Sequence, residues 1–146
     1  MHFFTLIYRL AVALWVGGAV LFTFILTPTL FQQLNRDEAG TIVGLLFPGY
    51  FRYGLICGAL ALVCLLLSRK SHPIASALII ATMLIITLVQ AFVIEPKAAA
   101  IKKEIPSFVT TSPEDPKRQE FKKLHAVSAV SNLSVIGGGI ALVILF

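Results

Sequence analysis

Apolar residues along this chain fall into four blocks, 10–27, 54–68, 74–94 and 126–146, that carry almost no charge. A helix that crosses a bilayer needs roughly 20 such residues at 1.5 Å of rise each. The third block, Ile74 to Ile94, runs for 21 residues without an ionisable group. The second is short at its apolar core and draws on Phe51 to Tyr53 for full length. The pattern predicts a polytopic, all-α membrane protein: one four-helix bundle over 1–146, connected up-down-up-down. Its spans fall at about 4–27, 50–68, 74–95 and 124–146.

The two longer connections carry helix signals of their own. After Pro28, Asn35-Arg36-Asp37-Glu38 reads as a capping box, with Asn35 as the cap and Glu38 three residues on. A short interfacial or re-entrant helix is expected over 36–47, between spans 1 and 2. Pro48 is expected to end it, because proline lacks the donor that a helix interior needs. Ser112-Pro113-Glu114-Asp115 reads as another start, with proline at the first helical position. Lys97 to Glu104 prolongs the third helix, so a charged helical hairpin over about 96–123 should stand off the membrane.

Composition sharpens this picture. Hydrophobic residues make up 58% and charged residues 13%, about half the charge of a soluble domain. Mean hydropathy is +0.91, which leaves room for one membrane domain and no separate soluble one. Of the 12 basic residues, Arg9, Arg69 and Lys70 lie on the side of the termini, and the other nine border the 28–53 and 95–125 connections. The positive-inside rule therefore places those connections in the cytoplasm, with both termini outside, in a cell or inner membrane. The net charge of +5 faces headgroups, so the expected partners are the bilayer and its anionic lipids, not nucleic acid. A basic n-region is missing ahead of the first block, which reads as a span rather than a cleaved signal. Cys57 and Cys64 stand about 10 Å apart along one helix, too far for a mutual disulfide, and read as packing residues.

Polar groups inside spans are costly and point to function first. His125, Ser128 and Asn132 follow Phe121 at spacings of four, three and four, which puts them within about 60° on one helix face. That face must meet the bundle or a wet cavity. It is either a ligand or proton site, or a set of interhelical hydrogen bonds that fixes register. Glu95 ends the third span, and Arg52 and Tyr50 approach the same level from the second. The six residues make one candidate polar cluster, although a ring of snorkelling side chains fits the spacing equally well. Arg9 lies in an apolar run, and all seven acidic residues belong to the other end of the molecule. Lipid phosphate or another anion is its expected partner. Trp15-Val16-Gly17-Gly18, Gly40 with Gly44 before Pro48, and Gly54 with Gly58 offer small faces for close helix packing.

No serine, cysteine or histidine falls into a catalytic arrangement, which argues against a hydrolytic enzyme. No metal-ligand cluster is visible, and any metal remains unknown. Haem is possible without being indicated: His2 and His72 flank one membrane edge and His125 the other, so only the first two could share an iron. Three function classes stay open. The first is transport or permeability for a small molecule, metal or drug, along the fourth-helix stripe and Gln90. The second is a membrane haem or redox protein, and the third an accessory or scaffold subunit, in a homo-oligomer or a larger membrane complex.

Three motifs occur in order: Trp15-x-Gly17-Gly18; Ala39-Gly40-x-Ile42-Val43-Gly44-x-x-Phe47-Pro48-x-Tyr50-Phe51; and Phe121-x-x-Leu124-His125-x-x-Ser128-x-x-x-Asn132. This pattern resembles the transmembrane protein 205-like family of small four-helix membrane proteins, over nearly the whole chain. The resemblance implies a four-helix fold and no established reaction. The vertebrate member's association with resistance to platinum drugs points toward metal or drug handling. Positions that carry over are Trp15, Gly40, Gly44, Pro48, His125, Ser128 and Asn132. The tryptophan-glycine-glycine start is also similar to copper-resistance and membrane haem-oxidase families, which keeps the redox class open.

Overall fold

Two side-chain caps start the helices that follow the long connections. Asn35 Oδ1 accepts from the Asp37 and Glu38 N–H groups at 3.1 and 3.0 Å, and Asp115 Oδ1 from Lys117 and Arg118 at 2.9 and 3.2 Å. Each satisfies donors that have no intrahelical partner. The computed structural model describes residues 2–68 and 73–145, and their regular structure is all helical. Four helices are long and apolar enough to cross a membrane: α1 (His2–Gln33), α2 (Arg36–Leu67), α3 (Ile74–Lys103) and α4 (Pro116–Ile144). They close into a ring, with α1 on α2, α2 on α3, α3 on α4 and α4 back on α1.

Tyr8, Val12, Trp15, Ile80, Met83 and Leu142 fill the centre of that ring. Leu6, Leu10, Leu14, Ile56, Phe92 and Val143 point outward and stay exposed. An apolar belt on every helix would aggregate in water, whereas hydrocarbon covers it without cost. The chain is a multi-pass membrane protein.

Glycines set how closely the helices approach. A Cβ on Gly58 would stand 2.6 Å from the Trp15 ring, and one on Gly138 would stand 2.9 Å from Met83. Gly18 lies under the Tyr53 ring, whose hydroxyl donates to the Leu14 carbonyl at 2.7 Å. Gly54 meets Trp15 Nε1, and Gly40 lies beneath the Lys102 ammonium. Gly17 and Gly44 differ from the packing expectation: a Cβ there would meet nothing within 4 Å. Cys57 and Cys64 are buried free thiols of the core.

Helix boundaries depart from the sequence expectation in three places. The 36–47 segment is not a separate interfacial helix but the first part of α2, which runs through Pro48 to Leu67. Ala39, Val43, Phe51, Gly54 and Gly58 are buried on either side of the proline. Packing along one continuous face outweighs a single missing hydrogen bond. Pro28 likewise lies within α1, which continues to Gln33. The last helix begins at Asp115-Pro116 rather than Ser112-Pro113, because the Ser112 hydroxyl closes a local turn on Glu114 N–H at 3.3 Å. The prolongation of α3 past Glu95 holds, to Lys103. Arg69, Lys70 and His72 lie outside the described residues.

Two of the helices, α1 and α3, share one spacing of buried positions. Tyr8, Val12, Trp15, Ala19 and Pro28 of α1 match Ser76, Ile80, Met83, Thr87 and Pro96 of α3 position for position, and all but the prolines are buried. Each proline follows a widened π turn, Leu21–Leu26 or Gln90–Ile94. There Thr27 N–H reaches the Phe22 carbonyl, and Glu95 N–H the Gln90 carbonyl, five residues back. A proline leaves one carbonyl without its usual donor, and a wider turn is one way for the backbone to absorb that.

Gly58→Ala forces a methyl into the buried Trp15 ring and is expected to destabilise the bundle by about 1–3 kcal/mol. Gly44→Ala gains helix propensity in open space and should be neutral or stabilising by up to ~1 kcal/mol. Unfolding of the purified protein in mixed detergent micelles, followed by circular dichroism, separates the two. Equal effects would show that the Trp15–Gly58 contact does not set the packing.

Candidate functional site

Each of the four helices supplies a polar side chain to one depth of the bundle. The Tyr50 hydroxyl of α2 donates to Asn132 Oδ1 of α4, and Asn132 Nδ2 donates to the Thr23 hydroxyl of α1. One turn nearer the hairpin end, the Ser128 hydroxyl donates to Gln90 Oε1 of α3 at 3.1 Å. Gln90 is buried, as is Thr87 one turn further in. Thr23 and Gln90 both lie in the π turns, so the two widened segments are the parts of α1 and α3 that meet the α4 stripe. Between these groups lies a small gap of about 10 Å³, walled by Trp15, Tyr50, Gln90 and Asn132. An aromatic group braces the cluster, with Phe22 stacked on Tyr50 at 4.4 Å and Phe47 on Phe51 at 5.5 Å. These contacts give Phe47, Tyr50 and Phe51 of the Phe47-Pro48-x-Tyr50-Phe51 motif a packing role.

Above the polar layer, at the hairpin end, opens a cavity of about 910 Å³. Gly40, Gly44 and Phe47 of α2 form one wall, Glu95 and Lys102 of α3 another, and Phe121, His125 and Ser128 of α4 a third. Ser128 belongs to both levels and joins the cavity to the hydrogen-bonded layer beneath. The connection between α3 and α4 folds over this end. Asp37 accepts from the Ser107 hydroxyl at 2.6 Å and from Phe108 N–H at 2.7 Å, which pins the loop to the start of α2. Phe108 then packs against Phe121 at 5.0 Å and beneath the Arg118 guanidinium at 5.6 Å. Lys117 and Glu104 pair at 2.8 Å across the hairpin, both exposed, which adds little stability.

The structure brings His125, Ser128 and Glu95 to one cavity and Tyr50 and Asn132 to the layer below it. His125 stacks on Phe121 at 6.3 Å and is itself exposed, whereas Ser128 and Asn132 are half-buried. Arg52 does not join them. Two residues after Tyr50 on a helix is about 200° of rotation, and Arg52 is accordingly exposed on another face. Arg9 is exposed on α1, near its N-terminal end and away from the cavity. His2 is exposed at that same end. Among the described residues no three His, Cys, Asp or Glu side chains lie close enough to hold a metal ion. Sequence reasoning missed Thr23 as the second partner of Asn132, and Lys102, Phe108 and Arg118 as cavity walls. Pro28 and Pro96, each two residues past a π turn, were the sequence signal that these helices depart from regular geometry.

A double-mutant cycle on Tyr50→Phe and Asn132→Ala, read by unfolding in micelles, should return a coupling of about 0.6–1.7 kcal/mol, the range of hydrogen bonds between membrane helices. Additive effects would mean that the pair contributes nothing beyond its separate packing.

Comparison with known proteins adds kinship without an activity. An uncharacterized protein of Aquifex aeolicus (strain VF5) is 33% identical over 131 residues, which cover 88% of this chain and 87% of that protein. No solved structure matches. The profile of a domain of unknown function, DUF4149, matches residues 10–107, from α1 into the loop after α3, while the α4 polar stripe lies beyond the matched segment. With most of its length matched in this way, the chain belongs to the DUF4149 family of unknown function.

Proposed function

We propose that this protein is a small membrane carrier or permeability protein, which admits a small molecule through the hairpin-end cavity and passes it along the polar layer. One observation carries the reading: polar groups from all four helices converge directly beneath an open cavity, joined through Ser128. Buried hydrogen-bonding groups in a membrane protein mark pathways when they face a cavity. Toward the termini the bundle is closed by Tyr8, Ile80 and Leu142, all of them fully buried. The reading is thus of a path open at the hairpin end and shut at the other.

The excess of basic residues at the hairpin end supports a cytoplasmic position for the cavity mouth. Likeness to the transmembrane protein 205-like family rests on the three motifs, and it belongs to this proposal together with the drug- or metal-handling role it suggests.

Single cysteines test the path. In inside-out vesicles, Ser128→Cys is expected to react with a membrane-impermeant maleimide, and Asn132→Cys to react more slowly. Wild type supplies the baseline, since Cys57 and Cys64 are buried. If neither variant labels above that baseline, water does not reach the stripe, and its role is to lock helix register.

A further inference from the structure

The chemistry of the cavity wall selects a class of ligand. Most of the lining is hydrocarbon, from Val43, Leu45, Phe47, Ile94, Phe108 and Phe121. Set into it are five cations, Arg36, Lys102, Lys103, Arg118 and Lys122, against one carboxylate, Glu95. One of the cations already has a partner within the chain. Arg118 donates to the Thr111 carbonyl and covers Phe108. Lys102 feels the charges of Asp37 and Glu95, but the Asp37 oxygens are taken by Ser107 and Phe108. Its ammonium stands 3.3 Å from where a Cβ on Gly40 would lie, on the cavity wall itself.

Size narrows the choice further. The cavity, about 910 Å³, is near the top of the roughly 300–1,000 Å³ range of small-molecule sites. That is room for one aliphatic chain and an acidic head.

We propose that the cavity binds a single-chain anionic amphiphile of the fatty-acid type. Its carboxylate pairs with Lys102, and its chain lies against Phe47, Phe108 and Phe121. Gly40 leaves the space in which the head meets the ammonium, and Gly44, open on the same side, leaves the space for the chain. The inference deepens the carrier reading and rests on it for what happens after binding, but binding itself stands or falls separately.

The test uses palmitic acid with a mid-chain diazirine, added to the full-length protein in phosphatidylcholine nanodiscs and photoactivated. Cross-links are expected on peptides holding Phe47 and Phe121, competed by plain palmitate and not by hexadecanol or acetate. Lys102→Gln should weaken competition by palmitate about tenfold, the loss expected for one charge-assisted hydrogen bond. Lys102→Arg should largely retain it, as should Lys97→Gln at an exposed position outside the cavity. Equal competition by hexadecanol would leave an apolar hole without head recognition and overturn the proposal. Competition by acetate alone would make it a small-anion site and overturn it as well, as would cross-links spread along the lipid-facing residues. Palmitate binding without maleimide access at Ser128→Cys would sink the carrier reading and leave the ligand assignment standing.

Discussion

Hydrocarbon offers no hydrogen-bond partner, and the rest of this structure depends on that constraint. Asn132 has a carbonyl and an amide to satisfy within the bilayer, so it must find a donor and an acceptor on other helices. Tyr50 and Thr23 supply them, and through these two bonds α4 is held to α2 and α1 at a single height. Ser128 and Gln90 do the same between α4 and α3. A shift of α4 by one turn would leave several of these groups unpartnered in a medium where each costs several kcal/mol. The polar layer therefore specifies register, and the glycine contacts on either side of it only have to permit close approach.

Register and opening are linked through the prolines. Below Pro28 and Pro96 the helices are close-packed around Trp15 and Met83; above them α1 and α3 continue as extensions toward the hairpin end. The π turns lie at the changeover. Each inserts an extra residue into the turn, which moves the following side chains by about 100° relative to an unbroken helix. On α3 that change of phase decides which side of the extension carries Glu95 and Lys102.

Much of this was legible in the sequence, for reasons that differ by element. The four spans stand out because hydrocarbon imposes a length and a composition together, and the fourth-helix stripe because a period near 3.6 is enough to put Phe121, His125, Ser128 and Asn132 on one face. Asn35 was legible as a cap because its action is local. Pro48 misled, since its local effect was outweighed by burial of Ala39 and Phe51 against helices distant in sequence. Arg52 was placed by depth alone, and depth says nothing about angle around a helix axis. The cavity was illegible for a similar reason: it exists because the loop carrying Ser107 and Phe108 returns to Asp37, a pairing across 70 positions that no spacing announces.

The spacing shared by α1 and α3 has a consequence for any movement of the bundle. Both helices run in the same direction, so the axis that exchanges them lies along the membrane normal. Exchanging their roles would carry the mouth from one flank of the bundle to the other and would keep it on the same face of the bilayer. Inverted repeats, by contrast, can present a site to opposite faces by trading conformations. In this chain the two faces are unlike by covalent order, and exposure at the terminal end requires Trp15 to leave Gly58 and Met83 to leave Gly138.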